Sequence, residues 1–217
     1  MFTKYGYTTI GIISILSFVL IAASFFIQNN PVKIILIAVA VISLAFTLGF
    51  FRDPDRTAPD RDDVIISPAD GKVLFVKEID EDKFVGEKVN MISIFMSPLN
   101  VHVNRIPIDG VVDYLQYYEG EYVAAFEDKA SETNERMEIK ITGKHGKILF
   151  TQVAKMVARR IVIELEKGDT VKIGERFGMI KFGSRVDVFA PLNWKPKLNK
   201  DESVTAGETI LFELDTK

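Results

Sequence analysis

Lys167-Gly168-Asp169-Thr170-Val171-Lys172-Ile173-Gly174-Glu175 is echoed, with one shift of position, by Lys200-Asp201-Glu202-Ser203-Val204-Thr205-Ala206-Gly207-Glu208. Each copy reads as a turn, a valine and then Gly-Glu, which is the pattern of a repeated hairpin. Around the two copies, from residue 64 onward, apolar residues recur mostly with a period of two and are broken by Gly, Pro, Asn and Asp. Strands are expected at 72–79, 89–95, 110–118, 137–142, 148–153, 160–166, 185–189 and 209–214. Residues 152–159 are the one stretch that could turn helical, and it is short. The domain is expected to be mainly β, a compact sandwich or half-barrel.

The first 51 residues are of another kind. They hold no acidic residue and only Lys4 and Lys33 as cations. Residues 8–28 form an uncharged apolar run of 21 and residues 34–51 a second of 18, with Asn29-Asn30-Pro31 as the turn between them. Each run is long enough, or nearly so, for a hydrocarbon core of about 30 Å. A signal peptide has a shorter apolar stretch and no second one directly behind it. The expected organisation is a transmembrane helical hairpin at 1–52, a linker at 53–63 and a β domain at 64–217. Lys4, Arg52, Arg56 and Arg61 flank the spans, and the short loop has only Lys33. The positive-inside tendency therefore puts both termini and the β domain on the cytoplasmic face of the cell membrane.

Beyond residue 51 the chain carries 25 Lys and Arg against 30 Asp and Glu. That acidic balance argues against nucleic acid and against a polybasic membrane patch. The absence of cysteine excludes a disulfide scaffold, a thiol nucleophile and a cysteine zinc site, and no metal is expected. Only His102 and His145 offer an imidazole. His145, in Gly143-Lys144-His145-Gly146-Lys147, reads as a solvated turn residue. His102 lies in Ser97-Pro98-Leu99-Asn100-Val101-His102-Val103-Asn104-Arg105-Ile106-Pro107, a strand-like setting suited to proton transfer. Asp70, in Ser67-Pro68-Ala69-Asp70-Gly71, reads first as a turn residue capping backbone amides. Phe182-Gly183-Ser184-Arg185-Val186-Asp187 follows a glycine-rich segment, and its Gly-Ser bond places a hydroxyl beside the preceding carbonyl, the geometry of intramolecular acyl transfer.

Taken in order, Ser-Pro-Ala-Asp-Gly, Ser-Pro-x-x-x-His before a proline, Asn134-Glu135-Arg136 and Phe-Gly-Ser-Arg-Val-Asp resemble the phosphatidylserine decarboxylase family in its short, two-span form. The resemblance covers the domain from about residue 64 to 189. It implies self-cleavage between Gly183 and Ser184, a pyruvoyl group made from Ser184, and an associated large chain (1–183) and small chain (184–217). Asp70, His102 and Ser184 would form the catalytic set, and phosphatidylserine at the lipid bilayer would be the substrate, decarboxylated to phosphatidylethanolamine. Arg105 stands where longer members carry a second histidine. It or Arg185 is a candidate for holding the substrate phosphate or carboxylate. Self-association is left open. The repeated hairpins are also similar to those of lipoyl/biotinyl-type barrels, and Glu127-Asp128-Lys129-Ala130-Ser131 resembles a lipoyl-lysine turn. A membrane-anchored carrier modified at Lys129, or a non-enzymatic adaptor, are the alternatives.

Overall fold

Two apolar helices precede a β unit in this computed structural model, which describes residues 1–81, 87–120, 134–154, 161–181 and 184–215. Gly183, Lys129 and residues 155–159 lie outside that set. Contacts divide the chain into Met1–Asp55 and Arg56–Lys217.

In the first unit, α1 (Tyr7–Ser24) and α2 (Asn30–Phe50) form an antiparallel hairpin. Asn29 caps α2 through its side chain, which accepts from Val32 N, and Pro31 sits in the first turn, where a missing N–H costs nothing. The burial pattern is inverted relative to a soluble hairpin. Ser17, Ser24, Ala40 and Thr47 are buried, whereas Ile12, Leu16, Phe18, Ile35, Ile42 and Phe46 face outward. Ser17 Oγ donates across the pair to the Ala40 carbonyl at 3.1 Å. Small and hydroxylated residues inside with large apolar ones outside is how helices pack in lipid. Both helices are long and apolar enough to cross a membrane.

The second unit is mainly β, as the alternation predicted. Its strands are β1 (Val64–Ile66), β2 (Gly71–Glu81), β3 (Glu87–Met96), β4 (Val103–Arg105), β5 (Gly110–Tyr118), β6 (Arg136–Gly143) and β7 (Gly146–Ala154), then β8 (Ile161–Ile163), β9 (Thr170–Val171), β10 (Arg176–Ile180), β11 (Ser184–Pro191), β12 (Trp194–Pro196), β13 (Ser203–Val204) and β14 (Ile210–Leu214). Eight of them build one curled half-barrel sheet in the order β13-β2-β3-β11-β7-β6-β5-β9. Two three-stranded sheets, β4-β10-β8 and β1-β14-β12, complete the unit. One face of the large sheet, with Ile92, Ile94, Ile139, Phe150, Val186 and Val188, carries the main core. Phe150 meets Phe177 of β10 edge-on at 5.5 Å. Residues 152–154, the start of the stretch that could have been helical, are strand.

The repeated hairpins occupy equivalent places. β9 and β13 are the two edges of the eight-stranded sheet, and each leads to a glycine with positive φ, Gly174 at 82° and Gly207 at 81°. A second repeat, Pro68-Ala69-Asp70-Gly71 and Pro107-Ile108-Asp109-Gly110, pairs with the first. Asp70 Oδ1 accepts from Ala206 N at 2.9 Å, and Asp109 Oδ1 accepts from Ile173 N at 2.6 Å. The two arches also bond to each other reciprocally, Ile66 N to Pro107 O at 3.0 Å and Arg105 N to Pro68 O at 2.9 Å. Two copies of one arch thus meet about a local two-fold axis.

Each arch ends in a glycine pressed against a neighbouring strand. A Cβ on Gly110 would stand 2.4 Å from the Thr142 carbonyl oxygen, which is backbone and cannot swing aside. Gly110→Ala is expected to destabilise the unit by about 2–4 kcal/mol through strand displacement, measured by urea unfolding.

Candidate active site

Ser184 opens β11, the strand with a long neighbour on each side, and pairs with Met96 of β3 and Ala154 of β7. Its side chain is fully buried, and its hydroxyl donates to Met96 Sδ at 3.1 Å. The Asn-Glu-Arg motif secures the neighbouring position. Asn134 Nδ2 donates to the Ala154 carbonyl at 3.1 Å, and Ala154 N donates to the Glu135 carbonyl at 2.9 Å. The Asn134-Glu135-Arg136 segment is therefore scaffolding beside residue 184.

His102 is fully buried, just after the turn that ends β3. That turn is closed by Ser97 and Asn100: Ser97 N donates to Asn100 Oδ1 at 2.8 Å and Asn100 N to the Ser97 carbonyl at 2.9 Å. The turn aims the Asn100 carbonyl at His102 Nδ1, 2.9 Å away. A carbonyl only accepts, so Nδ1 carries the proton, and in the neutral ring Nε2 is the basic nitrogen. A main-chain carbonyl two residues upstream thus helps to orient this imidazole.

Asp70 is engaged elsewhere. Arg56 approaches its carboxylate with both terminal nitrogens, at 2.5 and 2.9 Å, and also donates to the Ala206 carbonyl at 2.8 Å. Arg56 belongs to the stretch expected as a linker, and Arg61 is likewise bonded to Asp63 and Glu213. Both of those carboxyls are held below the usual range: Asp63 by the Arg61 guanidinium, Glu213 first by Lys197 and then by Arg61. Among the described residues no hydrogen bond joins Asp70, His102 and Ser184 to one another, and no group of three His, Asp or Glu has metal-site geometry.

The two arginine candidates are structural in their contacts. Arg105 donates to the Gly174 carbonyl at 2.9 Å and lays its stem against Gly207, where a Cβ would lie 2.6 Å from its Cδ, so it ties both repeat corners together. Arg185 alternates with Ser184 and points to the opposite face of the sheet. There it is fully buried and bound to Asp187 at 2.8–3.1 Å, and Ser93 Oγ donates to the same carboxylate at 2.6 Å. His145 lies in the β6–β7 turn, 3.8 Å from Asp62 and edge-on to Trp194.

Sequence reasoning did not single out Arg56, Met96, Asn104 or Gln152. Asn104 and Gln152 were detectable as polar residues inside apolar alternation, and both are fully buried. Gln152 Nε2 donates to Asn104 Oδ1 at 2.8 Å, and Asn104 Nδ2 donates to the Pro68 carbonyl at 3.2 Å. Met96 and Arg56 carry no sequence signal for their contacts.

The family model described as "Phosphatidylserine decarboxylase" matches residues 44–212. The chain belongs to the phosphatidylserine decarboxylase family. Curated relatives named phosphatidylserine decarboxylase proenzyme agree along almost their whole length. The one from Chlorobium limicola is 44% identical over 211 residues, covering 97% of this chain and 99% of the relative. The Chlorobium phaeovibrioides protein is 45% identical over 216 residues (100% and 98%), and that of Prosthecochloris aestuarii 42% over 217 (99% and 98%). The family match spans both the half-barrel and part of α2.

The buried pair beside Ser184 yields a stability test. Removing one partner of a buried ion pair strands the other charge, so Asp187→Ala is expected to cost about 3–5 kcal/mol. In a double-mutant cycle with Arg185→Met, the double variant is expected to lose less than the sum of the single losses, read from denaturant unfolding.

Proposed function

We propose that this chain is a membrane-anchored, pyruvoyl-dependent decarboxylase that converts phosphatidylserine to phosphatidylethanolamine after cutting itself between Gly183 and Ser184. The observation that carries the reading is near-full-length identity to proenzymes of that name, with a serine held at the head of the central strand. In this reading Ser184 Oγ attacks the Gly183 carbonyl and the peptide C–N bond gives way to an ester. Elimination then returns Oγ to the Gly183 carboxylate and leaves a dehydroalanine, which takes up water and loses ammonia to become the pyruvoyl group. Large (1–183) and small (184–217) chains remain associated through the strand ladder. His102 Nε2 is assigned the proton removal that a weak hydroxyl nucleophile needs, and Asp70 is the carboxylate of the catalytic set. Arg105 and Arg185, proposed for the substrate phosphate or carboxylate, are bonded to groups within the protein, so that role would require rearrangement.

The residues present fit the group. Met96 and Ala154 flank position 184 with soft, apolar surface suited to a methyl in place of a hydroxymethyl. A pyruvoyl ketone supplies the electron sink that pyridoxal phosphate supplies elsewhere. His102 is then the candidate to return a proton to the substrate carbon after carbon dioxide departs. The outward-facing apolar side chains of α1 and α2 support insertion in a bilayer, where the lipid substrate resides, and the flanking Lys4, Arg52, Arg56 and Arg61 support a β unit on the cytoplasmic side.

Intact mass spectrometry under denaturing conditions tests the cut. Two chains parting after Gly183, the small one lighter than a serine-started peptide by one ammonia, are expected; a single chain from the native protein overturns the reading, and Ser184→Ala is expected to stay whole. Asp109 supplies an internal control for Asp70. Asp109→Ala is expected to lose about 1–2 kcal/mol of turn stabilisation and still cleave, whereas Asp70→Ala is expected not to cleave; equal cleavage in both would leave Asp70 as a cap only.

Sidedness is testable because the chain has no cysteine. In intact cells an impermeant maleimide is expected to label Gln28→Cys, in the interhelical loop, and to spare Lys200→Cys. The reverse pattern would invert the assignment.

A further inference from the structure

Gln152 occupies a position that β7 reserves for the core. Ile148, Phe150 and Ala154 lie on the same side of the strand and are buried, and Gln152 is 0% exposed among them. Its orientation is fixed by a short chain of logic. The Pro68 carbonyl can only accept, so the Asn104 amide must turn Nδ2 toward it and Oδ1 toward Gln152. Gln152 must then present Nε2 to Asn104, which commits Oε1 to the other side of its own amide. Among the described residues nothing donates to that oxygen. A buried acceptor without a donor is costly, and in a native fold it calls for an explanation.

The strand register supplies one. Gln152 pairs with Val186 and Ala154 with Ser184, so Gln152 lies on the Ser184 face, two pairs further along. Asn104 Nδ2 and Ser184 Oγ both reach the same Met96 sulfur, at 4.0 and 3.1 Å. The amide pair thus lies beside residue 184, on the other side of one shared sulfur.

We infer that Gln152 Oε1 accepts a hydrogen bond from the amine of the serine head group and so orients that nitrogen toward residue 184; this rests on the decarboxylase reading above. An amine or ammonium offers donors, whereas a carboxylate or phosphate offers none, so this oxygen selects the amino end of the head group. Gln152 is a positioning residue for nitrogen attack. It is not needed for the cut at Ser184, because the hydroxyl's own contact is with Met96.

Gln152→Met and Gln152→Glu in the full chain separate this role from simple packing. Met keeps the length and removes both hydrogen bonds; Glu keeps an acceptor oxygen and lacks the Nε2 donor toward Asn104. Intact mass first gives the extent of cleavage. The cleaved protein is then treated with dihexanoyl phosphatidylethanolamine, which bears the same amine and no carboxylate to lose, and cyanoborohydride. Amine capture is read as a mass gain on the small chain, one water lost and one hydride and proton added.

Cleavage is expected to be unchanged in both variants and capture near normal in Gln152→Glu. In Gln152→Met capture is expected to fall about tenfold, the upper end of what one neutral hydrogen bond is worth. Equal losses in both variants, whether in capture or already in cleavage, would mean that only the tie to Asn104 matters and would overturn the inference. Undiminished capture in Gln152→Met would do the same, assigning Oε1 to a buried water. Failure of the unmutated chain to cleave or capture would instead overturn the decarboxylase reading.

Discussion

Everything at the candidate site depends on the pairing of β11 with a long strand on each side. Eight residue pairs join it to β3 and six join it to β7, and Ser184 is the first pair in both ladders. Ser184 is therefore fixed in place at the head of the strand by a partner on each side. Burial reinforces the arrangement: seven of the eight residues of β11 are buried, so the strand is covered on both faces. One face is apolar core and the other carries the Arg185–Asp187 pair.

The second organising element is the duplicated arch. Asp70 and Asp109 do the same local job, accepting a backbone N–H from the Gly-Glu corner of their own copy. Only Asp70 also receives a bidentate arginine, from the first residue of the β unit. The symmetry of the backbone is broken by side chains, and it is broken on the side where the family motif lies. Arg105, reaching one corner with its guanidinium and the other with its stem, locks the two copies at the join.

Long alternating runs are legible in the sequence. The strand expected at 110–118 is β5 to the residue, and those expected at 72–79, 89–95, 137–142 and 148–153 lie inside longer strands. Strands of two or three residues, such as β1, β4 and β12, are not legible, because so short a run has no period to read. The Gly-Glu corners are visible as a repeat, whereas the matching Pro-x-Asp-Gly pair acquires its meaning only from the bonds that join the two arches. At the site, Ser184, His102 and Asp70 stand out by residue type and motif. What orients them does not: the Asn100 carbonyl acts through backbone direction, and the Arg56–Asp70 contact joins residues from separate segments. Gln152 is in plain view as a polar residue inside apolar alternation, and needs the strand register to show which face it shares.

Residue 184 is part of the polypeptide and lies inside a ladder that keeps its segment in place. A reactive group made there would have no pool to exchange with, unlike a dissociable coenzyme that can be replaced when spoiled. Each molecule would arm itself once, and inactivation of that group would end its working life. Maintaining the activity in a cell would then be a matter of synthesis rate, set by how often new chains replace old ones.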